Sequence, residues 1–371
     1  MSFETAGPII GLLPALLAAV STSFVVAFLL VRTQHLHGPL TNDGLSGLQK
    51  FHRVPTPRVG GLAIVAGCLA ALPFLPGQYQ TTWTLVLLAG VPALVAGLVE
   101  DLTKRVGVRN RLLATMASGV LFALLTGYTM HQVNLPGVDW LLSFGLVAIL
   151  FTGFAMGGVA NAVNIIDGFH GLAAGSLMIM FGGFAYVAYA VGDELVLGLA
   201  LLSIAVILGF FVLNFPLGKI FLGDGGAYFA GYLLAALGVL LPTRNADVSA
   251  WTAILICAYP VVETLASMRR KARRTGHSVG QPDRVHFHML AHRRYARRMV
   301  RNGRNGHLRN PATSVVTWLL PLVTAIAAAI AYDSVIACAA LFFATVWLYG
   351  LLYRVMSLNS PQLPLGLARL L

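Results

Sequence analysis

Four short stretches of this 371-residue chain combine acids, amides, histidines and cations in ways that suit phosphate chemistry. In the first, the pair Glu100-Asp101 precedes Lys104, Arg105, Arg109 and Arg111. Adjacent carboxylates with cations three or four residues on suit a base or metal site beside phosphate-binding groups. They are equally what a solvated helix end with local ion pairs looks like. The second stretch reads Asn161-Ala-Val-Asn164-Ile-Ile-Asp167-Gly168-Phe-His170-Gly171. Spacing by three puts Asn161, Asn164 and Asp167 close to one face of a helix. That face would present the oxygen donors Mg²⁺ takes. A helix C-cap rich in Asn and Gly is the plainer reading, but a cap does not call for three polar side chains on an apolar segment.

The third stretch is Lys219-Ile-Phe221-Leu-Gly223-Asp224-Gly225-Gly226. Asp224 there is either an N-cap or a carboxylate for a metal, and Phe221 offers a flat surface to a base. The fourth is Pro282-Asp283-Arg284-Val-His286-Phe-His288. His286 and His288 point to one side if that backbone is extended, next to an arginine suited to bidentate phosphate contact. A zinc site would need a cysteine or a third well-spaced ligand, and the stretch has neither.

The elements that must position these residues lie in a membrane. The chain is 57% hydrophobic and only 10% charged, against about 25% charged in soluble domains. Apolar runs lie near 9–31, 60–77, 81–99, 112–129, 140–160, 171–191, 195–214, 225–241, 248–267, 312–331 and 334–353. They are continuous rather than alternating, which excludes a porin-type barrel. The expected fold is an all-α integral membrane protein, a polytopic bundle of about 11 transmembrane helices. Residues 1–371 are read as a single membrane-embedded domain with a cytoplasmic Arg-rich loop at 268–311. The first run, starting near Pro8, is read as a retained span. Cys68, Cys257 and Cys338 all fall inside apolar runs and suggest neither disulfides nor zinc.

With eleven spans, 24 of the 25 Lys and Arg fall on one side and only Arg244 on the other. The positive-inside rule then places the N-terminus outside and the C-terminus in the cytoplasm. All four clusters lie on the cytoplasmic side. This topology accounts for the net charge of +12 better than nucleic-acid binding does. The expected partners therefore include membrane lipids, with the arginines from Arg293 to Arg309 as an anionic-lipid patch, and no nucleic acid. A transporter would carry ionisable groups at mid-bilayer depth, but the nearest case, Glu263, sits toward the inner end of the ninth run. Oxygen donors for Mg²⁺, several cations and a membrane boundary suit phosphoryl transfer between a soluble nucleotide-linked donor and a lipid phosphate.

At these residues the chain resembles the polyprenyl-phosphate N-acetylhexosamine-1-phosphate transferases, glycosyltransferase family 4. The likeness covers essentially the whole chain and rests on four ordered motifs: Glu100-Asp101, Asn161 to Leu172, Lys219 to Gly226, and Pro282 to His288. It is closer to the enzymes that initiate O-antigen and teichoic-acid synthesis than to the muramyl-pentapeptide translocase. The resemblance implies transfer of a sugar 1-phosphate from a UDP-N-acetylhexosamine to undecaprenyl phosphate, at the cytoplasmic face of a bacterial inner membrane. UMP is released and the lipid-linked product starts a surface polysaccharide. UDP-GlcNAc is the first expectation for the donor, with UDP-GalNAc or a deoxy-N-acetyl sugar as alternatives, and a homodimer is an allowed assembly.

The resemblance also implies residue roles. Asp224 and Asn164 would coordinate Mg²⁺, or Mn²⁺ in its place, with Asp167 in or next to that shell. Phe221 would stack on uracil and His170 would border the base. Arg111 and Arg284 would hold the pyrophosphate, supported by His286 and His288, and Asp101 would orient or deprotonate the acceptor phosphate. Glu100, Lys104 and Asn161 join the substrate-binding set. Arg53 and Arg58, flanking Pro55-Thr-Pro57, are further candidates for phosphate. Three positions depart from the family pattern: Glu100 where Asp is usual, His170 where Asp or Asn is usual, and Met289 where many members have a histidine.

Overall fold

The computed structural model describes residues 3–43, 55–273, 285–300 and 306–358. Arg53 and Arg284 fall outside them. The described chain is almost entirely helical, with one two-residue antiparallel ladder pairing Asn42–Asp43 with Thr56–Pro57. In chain order the helices begin α1 (Phe3–Arg32), α2 (Gln34–Thr41), α3 (Gly60–Ala71), α4 (Gly77–Ala89), α5 (Val91–Thr103) and α6 (Val108–Thr126). They continue α7 (Pro136–Leu142), α8 (Gly145–Ile166), α9 (Leu172–Ala190), α10 (Glu194–Asn214), α11 (Gly223–Arg244), α12 (Ala250–Ile256) and α13 (Ala258–Ala272). The last are α14 (Phe287–Ala291), the one-turn α15 (Arg297–Met299), α16 (Arg309–Thr317), α17 (Leu319–Ala331) and α18 (Val335–Leu358).

The protein is a polytopic helical membrane protein. Among the described residues eight helices are long and apolar enough to span a bilayer, and up to ten if each bent pair counts as one span. Every apolar run of the sequence contains one of these elements, but the run at 60–77 yields only the shorter apolar stretch Gly60–Phe74. The two bent pairs have local causes. Between α4 and α5 the chain turns by 45° at Gly90, with Pro92 in the first turn of α5. Between α12 and α13 it turns by 75° at Cys257, with Pro260 just beyond. Proline fits a first turn and interrupts the helical ladder behind it.

Helix α11 is the axis of the bundle, with 94% of its apolar window buried. Its glycines let neighbouring backbones touch it. A Cβ on Gly61 of α3 would come within 2.5 Å of the Gly226 nitrogen, and one on Gly97 of α5 within 2.5 Å of the Gly225 Cα. The start of α11 is therefore wedged between α3 and α5. The far end of this 22-residue helix lies roughly 33 Å away at 1.5 Å per residue. There Arg244 bonds to Asp193 through Nε (2.8 Å) and Nη2 (3.2 Å) and to the Tyr128 hydroxyl (2.8 Å). By contrast, α18 faces lipid, with Ile336 83% and Trp347 70% exposed.

The segment read from sequence as an Arg-rich loop is largely folded where it is described. Residues 287–299 form α14, a π turn and α15, and Phe287, His288, Met289, Leu290, Ala291 and His292 are buried. The three cysteines are free and buried, so they pack inside the bundle.

Candidate active site

The site is built around the first turn of α11. Gly223 has φ +74°, and a Cβ there would clash with the Arg58 carbonyl oxygen and approach Asp101 Oδ2 to 2.7 Å. Only glycine fits this entry. The backbone N–H groups of Asp224 and Gly225, which have no partner within their own helix, donate to Asp101 Oδ1 (3.0 Å) and Oδ2 (2.9 Å). Asp101, carried at the end of α5 and 1% exposed, is thus the cap of α11, its charge set against the positive end of that helix. The role expected for Asp101 is to orient or deprotonate the acceptor phosphate, and here both of its oxygens are engaged by the first turn of α11.

That cap holds Asp224 where three donors converge. Asp224 Oδ1 accepts from Arg58 Nη2 (3.1 Å) and Asn164 Nδ2 (3.1 Å), and its Oδ2 accepts from Arg111 Nη1. Arg58 also lies 3.4 Å from Asp43 Oδ1 and 3.4 Å from Asp101 Oδ1. The small ladder positions it, with Arg58 N donating to Thr41 O (2.9 Å). Burial opposes the Arg58 charge, but Asp224, Asp101 and Asp43 together hold its guanidinium above the ordinary range. Asp167 caps the C-terminus of α8. Burial pushes its carboxyl up to about 7, Arg58 opposes that rise, and the charges of Asp224 and Asp101 add to it.

Beside the carboxylates lies an aromatic pair. The rings of His170 and Phe221 sit 5.6 Å apart at 35°, and His170 packs on Gly218, where a side chain would clash with it. Asn214, at the end of α10 and 4% exposed, braces both loops. Its Oδ1 accepts from Gly171 N (2.8 Å) and its Nδ2 donates to Ile220 O (2.7 Å). From α16, Asn310 Oδ1 accepts from His170 N (2.7 Å) and Ser314 donates to His170 O (2.7 Å).

The histidines reach the site from the other side. His286 stands at the N-cap position of α14 and His288 lies within that helix, so the two histidines do not share an extended strand. Their rings nevertheless stack, 5.3 Å apart at 16°. A Cβ on Gly168 would lie 3.0 Å from His288 Nε2, which puts His288 against the loop that carries Asp167.

Three expected site residues are engaged in local structure instead. Glu100 Oε2 accepts from Val106 N (2.8 Å), closing the turn into α6. Lys104, at φ +55°, donates from Nζ to the Asp101 carbonyl (2.7 Å). Asn161 donates to Thr115 Oγ1 and to Gly157 O, each at 2.8 Å, and so joins α8 to α6 rather than to Asp224. Asn214 and Glu263, by contrast, carry no motif in the sequence and are revealed only by their contacts.

The glycosyl transferase family 4 profile matches residues 83–241, which span Asp101, Asn164, Asp167 and Asp224. The phospho-N-acetylmuramoyl-pentapeptide-transferase of Enterococcus hirae is 32% identical over 257 residues, covering 64% of this chain and 77% of that one. The chain belongs to glycosyl transferase family 4. Two further relatives are a probable undecaprenyl-phosphate N-acetylglucosaminyl 1-phosphate transferase of Bacillus subtilis (strain 168) and a decaprenyl-phosphate N-acetylglucosaminephosphotransferase of Mycobacterium leprae (strain TN). The first is 31% identical over 242 residues, 65% of this chain and 66% of the relative. The second is 31% identical over 274 residues, 64% and 66%. The chain thus spans just under two thirds of these two. As a member of glycosyl transferase family 4 it is an enzyme, a phosphotransferase carried on a multi-pass membrane bundle.

In this family member Asp224, Asp167 and Asn164 carry oxygens of the kind that a hard divalent cation takes. Mg²⁺ binds through one or two carboxylates and keeps its other positions for water and substrate phosphate. Asp224, Asp167 and Asn164 supply that kind of set, and Asp167 already feels the Asp224 charge. Among the described residues no group of three or more His, Cys, Asp or Glu side chains is placed to hold a metal ion.

Proposed function

We propose that the enzyme transfers N-acetylglucosamine 1-phosphate from UDP-GlcNAc to undecaprenyl phosphate in a Mg²⁺-dependent reaction at the cytoplasmic face of a bacterial inner membrane. The observation that carries this reading is the convergence of Arg58, Arg111 and Asn164 on Asp224, with the Phe221–His170 pair in the adjoining loops. Cations, a buried carboxylate and a flat aromatic surface are what a nucleoside diphosphate sugar needs. The names of the Bacillus and Mycobacterium relatives supply the sugar and the polyprenyl phosphate acceptor.

In this reading an oxygen of the acceptor phosphate forms a bond to the sugar-bearing phosphorus. The bond from that phosphorus to the bridging oxygen breaks, and UMP leaves with the oxygen. Phe221 stacks on uracil while His170 borders it. Arg58 and Arg111 neutralise the diphosphate, and His288 and His286 support it or the sugar. Asp224, Asp167 and Asn164 hold Mg²⁺, which when bound supplies charge neutralisation at the phosphate oxygens. Asp101 acts by holding the first turn of α11. The acceptor needs no base, since a phosphate monoester is largely ionised near neutral pH. The cytoplasmic assignment rests on the Lys/Arg asymmetry across the spans.

The test is UMP release by detergent-purified protein with undecaprenyl phosphate and UDP-GlcNAc, UDP-GalNAc or a deoxy-N-acetyl donor, with and without Mg²⁺. Metal-dependent release that is fastest with UDP-GlcNAc is expected. Release with another donor alone would replace the sugar, and no release with any donor would overturn the reading.

A further inference from the structure

Glu263 lies on α13, inside a membrane-spanning bent pair, and is 0% exposed. Four donors surround its carboxylate. Oε1 accepts from His286 Nδ1 (2.9 Å) and Arg270 Nη2 (3.3 Å). Oε2 accepts from the backbone N–H of Phe287 (3.0 Å) and from the Tyr349 hydroxyl (2.7 Å). From the same helix α18, Tyr353 donates to Val285 O (2.8 Å) and lies under the Arg270 guanidinium, 4.7 Å from its ring centroid. Residues 285–287 are therefore gripped at successive positions by α13 and α18.

Such a site is expensive for stability alone. Buried ion pairs can often be replaced by apolar groups of similar size at no loss, and a membrane interior raises the cost of a charge further. What the carboxylate does provide is orientation. A histidine that donates from Nδ1 to a carboxylate has its tautomer and ring plane set. The oriented ring stacks on His288, and His288 contacts Gly168 beside Asp167.

We propose that Glu263 is a positioning residue for the transfer reaction. It fixes His286 with its proton on Nδ1, so that Nε2 is the nitrogen left to meet the donor diphosphate or its sugar. The proposal rests on the assignment of His286 to the donor site made above.

A double-mutant cycle separates the two ideas. Glu263→Gln and His286→Asn are each expected to raise the donor KM by about tenfold, as loss of a charge-assisted hydrogen bond does, with the acceptor KM unchanged. The double variant should be no worse than His286→Asn. Glu263→Asp keeps the charge that balances Arg270 while retracting the carboxylate, and should give a smaller rise, again absent in the His286→Asn background. Multiplicative effects would overturn the proposal while leaving the site reading intact. So would a Glu263→Gln enzyme with lower apparent kcat but both KM values unchanged, the signature of general loosening. An unchanged donor KM in His286→Asn would overturn both.

Discussion

Replacing Asp101 by Asn tests whether this carboxylate positions the site or moves a proton. The side-chain volume hardly changes, but Asn has one acceptor oxygen where the two N–H groups of Asp224 and Gly225 now find two, at 3.0 and 2.9 Å. One charge-assisted bond is weakened to a neutral one, and the amide NH₂ faces a buried N–H that is left unsatisfied. The first effect and the second each cost about 1–3 kcal/mol. Loss of the negative charge at the start of α11 adds about 0.3–2 kcal/mol. The expected destabilisation is thus roughly 2–8 kcal/mol, or a fall of about 3–10 °C in the thermal midpoint for a chain of this size. Turnover should fall with it, because Asp224 moves when its own N–H loses its acceptor. The assay pairs thermal unfolding in detergent with UMP release at a temperature where both proteins are folded. An Asp101→Asn enzyme that keeps the wild-type midpoint while losing turnover would refute the capping role and restore a direct role in chemistry.

Other perturbations separate the parts of the site. Phe221→Ala should raise the donor KM by about 5- to 100-fold, since base–aromatic stacking is worth about 1–3 kcal/mol, and should weaken inhibition by UMP in parallel; an unchanged KM would remove Phe221 from the base site. Asn214→Ala strands the Gly171 N–H and the Ile220 carbonyl, so steady-state kinetics should show a higher donor KM at an unaltered acceptor KM, and a lower midpoint without that change would make Asn214 a packing residue only. Burial, with Arg297, Arg309 and Arg293 nearby, lowers His292 from 6.5 to about 4. A proton bound more weakly in the folded than in the unfolded chain costs stability as pH falls through that window, so the midpoint should decline between pH 6.5 and 4, and His292→Gln should flatten part of that decline.

The hydrophobic pattern was enough to read the bundle, because continuous apolar runs have few other meanings in a chain this poor in charge. Its limits lie at the bends. Gly90 with Pro92 and Cys257 with Pro260 each divide a run into two helices, and a continuous apolar run does not reveal how far the axis turns. The acid motifs were legible as clusters, but their partners were not. Asp101 meets a helix start 123 residues later, so its local cations suggested a solvated end while its contacts make it a cap. Asn161 and Asn164 share a helix face, yet Asn161 is drawn to Thr115 and only Asn164 reaches Asp224. Arg58 stands at the centre of the acids although its neighbours Pro55-Thr-Pro57 carry no motif. Glu263 read as a lone acid near a span end because the groups that justify its burial come from α14 and α18.

The central claim, that Asp224 is the carboxylate around which transfer is organised, is tested most directly by one comparison. Wild-type and Asp224→Asn protein, matched for thermal midpoint and reconstituted with undecaprenyl phosphate, would be compared for UMP release and for the lipid pyrophosphate product by mass spectrometry in saturating Mg²⁺ and UDP-GlcNAc. The account predicts stoichiometric UMP and lipid product from the wild type, and a loss of about a hundred- to a thousandfold in Asp224→Asn, the scale seen when one preorganised electrostatic group is removed from an active site. Product formation by Asp224→Asn within a few fold of wild type would contradict it.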